Sequence, residues 1–314
     1  MTTFDRYRST REALLRTVAY FDAIDYAPTQ AELFVWLEWS GASGFIQEAP
    51  PSGGELFTAL MGLRESGELE FGFGRIALPG RLAPLATLSL ERTALFARKL
   101  RRARRCAGWL ARLSGVRFVA LANTTALAHA RDAGDLDFFI VVRAGSIWTT
   151  RAIGGGPYRL RGTLSGSTAG ADAICLSYLV SDRLLNVESH MLHGDDPYFR
   201  FWFLSLLPLY DDGISAELWE ANRAIRARHP RAERWRASPD ASLRIPHIRL
   251  PVLPSLERRL QRFQERWFPD RIRERMNRDT SVIVSEDVLK FHLEDARAAY
   301  RDAFRERLEA MGLS

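Results

Sequence analysis

The chain has 314 residues, enough for two or three domains with cores of their own, and its apolar share of 46% excludes an extended disordered protein. The formal charge of +6 comes almost wholly from arginine, Lys99 and Lys290 being the only lysines; such a balance permits a nucleotide or nucleic-acid partner without establishing one. No apolar run approaches the length of a bilayer span, and MTTFDRYRSTREALLRT lacks the apolar centre of a signal peptide, so a cytoplasmic protein with no membrane partner is expected.

Residues 10 to 80 read as a small module. Arg11 to Asp22 has apolar residues at helical spacing, and Thr29-Gln30-Ala31-Glu32 is a capping box opening a helix to about Trp39. After the Pro50-Pro51-Ser52 break, Glu55 to Glu65 places Leu56, Leu60 and Leu63 on one side of a third helix, and Leu69 to Leu78 reads as a tight hairpin. Three helices followed by a hairpin is the winged-helix order. Yet the third helix offers mainly Arg64 to a DNA groove and the hairpin only Arg75, so packing or partner binding is the stronger expectation. Ala94 to Leu113 is a basic helix, with Arg98, Lys99, Arg101, Arg102, Arg104 and Arg105 interleaved with Leu95, Leu100 and Trp109. It is expected to cover a sheet with its charges in solvent.

The chemistry lies between Val116 and Val142. Arg117 to Leu121 is a short apolar strand, Asn123-Thr124-Thr125 a polar turn into a helical turn, and Asp135-Leu136-Asp137 opens a second strand whose continuation, Phe138 to Val142, is apolar enough for a buried central position. Side chains alternate along a strand, so Asp135 and Asp137 project from one side, where they repel unless a proton or cation sits between them. A hard cation held by carboxylates and substrate phosphates suits them. Free backbone N–H groups and the hydroxyls of Thr124 and Thr125 suit an anion at the preceding turn. Asp172, in the strand-like ADAICLSYLV, is the candidate for a third carboxylate, and Arg143 and Arg151 are candidates to reach a triphosphate.

Taken together, this segment resembles the catalytic signature of the DNA polymerase beta-like nucleotidyltransferases: apolar strand, Gly-Ser turn, short helix, then D-x-D at a strand start. Asp135 and Asp137 match the metal-binding pair, Thr124 falls where the phosphate-binding serine stands, and Asn123 replaces the usual glycine. RAGSIWTTR (143–151), ICLSYLVSD, LPLYDD and ELWEANRAI extend the likeness to an uncharacterised prokaryotic subgroup with a winged-helix-like region ahead of it, over much of residues 95 to 230. The resemblance implies an α+β fold with a polymerase-beta-like mixed sheet, Mg²⁺ (or Mn²⁺) on Asp135, Asp137 and Asp172, and ATP or another NTP as donor. Asn123, Thr124, Thr125, Arg143 and Arg151 would then bind the nucleotide. A degenerate transferase fold acting as a nucleotide sensor or assembly module, and a winged-helix regulator, are the alternatives.

The rest reads as packing. Asp196 to Tyr210 is aromatic nearly all round and is expected as a buried helix, followed by a turn at Asp211-Asp212-Gly213. Residues 231 to 254 suit a surface connector, Leu256 to Met276 returns to helical spacing, and Ser285 to Met311 reads as a final amphipathic helix. The expected division is 1–88 for the winged-helix-like module, 89–230 for the transferase domain and 231–314 for the connector and a helical region. Cys106 and Cys175 are expected as inert buried thiols, and the six scattered histidines give zinc little support.

Overall fold

Three capping boxes start the N-terminal helices. Thr2, Thr29 and Ser52 each accept a backbone N–H three residues on, while Asp5, Glu32 and Glu55 reach back to the cap. They open α1 (Thr3–Ala23), α2 (Gln30–Val35) and α3 (Gly53–Glu65); β1 (Glu70–Gly72) and β2 (Arg75–Ala77) then pair as a hairpin across Phe73 and Gly74, both at positive φ. The computed structural model describes residues 2–39, 49–166, 170–235 and 254–313. Leu14, Leu33, Leu37, Leu60 and Leu63 are buried together between these elements. α2 stops short of Trp39 because the next donors go elsewhere: Glu38 N–H to Thr17 Oγ1 at 2.9 Å and Trp39 N–H to the Arg228 carbonyl at 2.7 Å.

A long helix α4 (Leu82–Leu110) leads to β3 (Val116–Leu121), a four-residue helix α5 (Asn123–Ala126), β4 (Leu136–Val142), α6 (Ile147–Leu160) and β5 (Ile174–Ser181). There follow α7 (Pro197–Leu204), β6 (Leu207–Asp211), α8 (Ser215–Ala221) and α9 (Arg223–Ala227). The C-terminal part contributes α10 (Pro254–Arg266), α11 (Asp270–Arg275), β7 (Val282–Val284), β8 (Val288–Phe291) and α12 (Arg297–Ala310). The strands form one open mixed sheet of six in the order β6-β3-β4-β5-β8-β7, in which β4 and β5 run parallel and the other neighbours antiparallel. The architecture is α+β. No described helix is long and apolar enough to cross a membrane.

Three helical expectations give way to other structure. The aromatic helix ends at Leu204, and Leu207–Asp211 is an edge strand; Pro208 is tolerated there, at a break in the pairing register with β3. The last helix begins at Arg297 because β-branched Val282, Ile283, Val284 and Val288 pair as β7 and β8, and β8 joins the sheet beside β5. The helix expected from Leu256 to Met276 is broken into α10 and α11 at Phe268-Pro269. Most of the Pro-rich connector (Pro239, Pro246, Pro251) lies outside the described residues.

Alternation sorts the sheet into two packed faces. Val119, Leu121, Leu136, Phe138, Ile140 and Val142 meet α4 and α6 on one side, with Cys106 and Trp148 buried among them. Phe118, Ala120, Phe139, Val141 and Tyr178 meet Phe199, Trp202 and Phe203 of α7 on the other. Burial raises the Cys106 thiol to about 12, so it is inert as expected. Glu257 of α10 caps α6 from outside its own helix. Its carboxylate accepts the N–H of Trp148 (2.7 Å) and Thr149 (2.9 Å), the role that Ser146 at the N-cap does not take.

Lys290 on β8 is completely buried on the α7 side, over the rings of Tyr178 and Phe199, and donates to the Thr280 carbonyl at 2.7 Å. Burial, reinforced by the nearby Arg297 guanidinium, lowers its pKa to about 7. Between that value and the unfolded lysine near 10.4, the unfolded chain holds a proton that the folded chain has released, so stability contributed through this group rises with pH. Urea unfolding of the wild type against Lys290→Met should show the difference shifting in favour of the wild type from pH 7 to pH 10. A pH-independent difference would show that Lys290 does not titrate in this window.

Candidate functional site

β3 and β4 end side by side where Asn123 and Asp137 face each other. Ala122 N–H donates to the Asp137 carbonyl at 2.9 Å, the last rung before the chain turns into α5. Asn123 sits at φ +57°, a left-handed conformation that asparagine tolerates better than most residues. Its amide donates to Asp137 Oδ2 at 2.7 Å, and its carbonyl accepts the Tyr198 hydroxyl of α7 at 3.2 Å. The turn residue thus connects the acidic strand to the aromatic helix.

By alternation along β4, Asp137 projects toward α7, with Phe139 and Val141, and Asp135 shares that side. Asp137 is half-buried; burial, with a smaller push from Asp135, holds its pKa above the ordinary carboxylate value against the hydrogen bonds from Asn123 and Cys175. Asp135 accepts the Ser165 hydroxyl. Two carboxylates alone do not make a metal cluster, and a hard cation here would draw the rest of its shell from water and ligand oxygens. Beside the pair, Asn123 and Thr124 form one wall of a pocket whose other walls are mostly apolar and aromatic, Tyr20, Trp36, Tyr198 and Trp202 among them.

The third carboxylate does not join this pair. In the parallel register of β4 and β5, the residue opposite Asp137 is Cys175, whose thiol burial keeps protonated. Asp172 precedes β5 at φ +59° and is tied to α4: Lys99 Nζ donates to its Oδ1 at 2.5 Å and Arg98 Nε meets its Oδ2 at 2.9 Å. Burial works against its charge, but these two cations hold its pKa below the ordinary value. Among the described residues, no three His, Cys, Asp or Glu side chains gather where they can hold a metal ion.

The other expected ligands are scattered. Thr124 is half-exposed at the pocket, whereas Thr125 is buried in α5. Arg143 is exposed at the far end of β4, six residues and so about 20 Å from Asp137 at ~3.3 Å per residue. Arg151 lies on α6, across the sheet from the Asp137 side chain. It donates to Gln264 at 2.7 Å and stacks over Phe291 at 4.8 Å, and burial lowers its pKa to about 10. It packs α6 against α10 and does not reach the acidic pair.

Lys99 falls within the basic run expected to face solvent, yet it is completely buried. Its ammonium donates to the Gly134 carbonyl at 2.7 Å, the Asp132 carbonyl at 3.2 Å and Asp172, fastening the loop before Asp135 and the residues before β5 to one point on α4. The available signal was its rarity: a lysine in a chain that otherwise uses arginine marks a place for a compact ammonium with tetrahedral donors.

No family model matches this sequence, no curated protein is similar to it, and no solved structure matches its fold.

Lys99→Met should cost about 3–5 kcal/mol in urea unfolding, the scale for breaking a buried ion pair. Lys99→Arg should recover little of it, because a planar guanidinium cannot meet the same three acceptors. Wild-type stability in the arginine variant would refute the three-point anchor.

Proposed function

We propose that this chain is a Mg²⁺-dependent nucleotidyltransferase of the polymerase-beta-like kind, Mn²⁺ serving in place of Mg²⁺, that moves a nucleoside monophosphate from an NTP to a hydroxyl-bearing acceptor. The observation that carries it is the bond between Asn123 and Asp137: a left-handed turn at the end of one strand is locked to the acidic pair that starts its neighbour. In this reading the phosphates lie between the Asn123–Thr124 turn, which borders the pocket, and the two carboxylates. Asp135 and Asp137 fit a hard divalent cation, since burial and mutual repulsion leave Asp137 in want of positive charge. Bound there, such a cation neutralises phosphate charge and steadies the leaving pyrophosphate. Asn123 and Thr124 hold the triphosphate so that the acceptor oxygen attacks the α-phosphorus as its bond to pyrophosphate breaks, the acceptor proton passing to water. Alignment and electrostatics supply most of the rate in such a transfer.

A second reading, a nucleotide-binding module that does not transfer, is favoured by Cys175 standing opposite Asp137 while Asp172 is engaged by Lys99 and Arg98. It predicts binding without turnover. A regulator reading DNA through the N-terminal module has less support: Arg75 is turned inward onto the Tyr26 hydroxyl and the Ala27 carbonyl, and Arg64 lies over Phe71.

Isothermal titration with ATP, GTP, CTP and UTP, with and without Mg²⁺, tests the proposal. Metal-dependent binding is expected in the wild type and should be lost in Asp135→Asn/Asp137→Asn. Folded wild-type protein that binds no NTP would overturn both readings. Pyrophosphate release with candidate acceptors then separates transfer from binding alone.

A further inference from the structure

The outer face of α10 carries two parallel rows of side chains. Its inner face is engaged: Glu257 caps α6, Leu260 packs against the core, and Gln264 donates to the Trp148 carbonyl at 2.9 Å. Turned outward are Arg258, Arg262 and Arg266, four residues apart, and beside them Arg259, Phe263 and, in the turn just past the helix end, Trp267. Phe263 is 62% exposed and Trp267 70%, with ring centroids 6.3 Å apart. None of these four arginines meets a carboxylate among the described residues, whereas Arg98, Arg117, Arg200 and Arg297 do.

We propose that this face of α10 binds single-stranded nucleic acid, the arginine row taking successive phosphates and Phe263 and Trp267 stacking on unpaired bases. Residues four apart on a helix rise about 6 Å, a step on the order of the phosphate repeat of an extended strand. Like charges at this spacing weaken a helix by a few tenths of a kcal/mol per pair, and two exposed rings forgo burial, so both features cost stability in the isolated protein. A polyanion with aromatic bases relieves both costs at once. Guanidinium suits it further, because it forks onto phosphate and stacks on rings. An anionic membrane is the weaker fit: an interfacial helix buries a continuous apolar stripe, and here the exposed rings lie among guanidiniums. The inference stands apart from the acidic site, since none of these residues touches Asn123, Asp135 or Asp137.

The test uses the full chain and fluorescence anisotropy with a labelled 12-nucleotide single strand, its duplex, and phosphatidylserine-containing vesicles, over 50–200 mM salt. The single strand should bind more tightly than the duplex. Arg258→Gln/Arg262→Gln/Arg266→Gln should lower the log–log salt slope by about 2, at roughly 0.7 per phosphate contact. Phe263→Ala/Trp267→Ala should cut affinity about tenfold or more with the slope unchanged. Both variants alter exposed side chains and should melt at or slightly above the wild type while keeping any Mg²⁺-dependent NTP binding, so failure here is distinguishable from failure of the transferase reading. The proposal is overturned if the wild type ignores the single strand at 50 mM salt, if both variants bind as the wild type does, or if vesicles alone bind and the variants lose them.

Discussion

The buried Lys99 ammonium is the point on which the acidic end of the sheet depends. β4 and β5 are parallel, so no tight turn sets their starts level; they are joined only through α6. Lys99 does that work from outside the sheet, holding the loop before Asp135 and the residues before Ile174 against α4. Coulomb attraction to Asp172 balances the desolvation of both groups, and the two carbonyls satisfy the remaining donors, which is the condition for such a pair to hold its place in a core. The position of the D-x-D carboxylates is therefore set by a side chain on a helix distant from them in sequence.

Elsewhere, polar contacts attach the N-terminal helices to the sheet domain. Glu38 lies just beyond α2 and meets Arg200 of α7 at 3.0 Å, while Asp22 of α1 receives Arg307 of α12 at 2.6 Å. Tyr20 stacks on Phe201 between these ion pairs, with Phe304 beside it. The charged pairs set the register of the contact and the rings supply its apolar area. This is why the pocket at Asn123 has walls from both ends of the chain's first two hundred residues, α1 on one side and α7 on the other.

What the sequence disclosed was local. The capping box at Thr29, the apolar strand before Asn123 and the acidic start of β4 are each written in a few consecutive residues, and each stands where the sequence puts it. Long-range pairing was not legible. Leu289, Leu293 and Ala296 fall at helical spacing, but Leu289 is a strand residue because β8 finds β5 to pair with. The same limit hid the partner of Asp137. Only the β4–β5 register brings Cys175 opposite it and leaves Asp172 to α4, and register is a property of two segments, not one. Arg151 is a triphosphate candidate by its place in RAGSIWTTR, whereas the face of the sheet it occupies packs it against Gln264 and Phe291.

The burial of both lysines has a consequence for the chemistry of the protein's surface. With Lys99 and Lys290 each at 0% exposure, the folded chain presents no lysine amine to solvent, although its formal charge is +6. Acylation, ubiquitin attachment or amine-directed crosslinking at a lysine must wait for local or global opening. Covalent labelling of either ε-amine thus reports on unfolding events instead of surface encounters, and no lysine ammonium contributes to the cationic surface that partners meet.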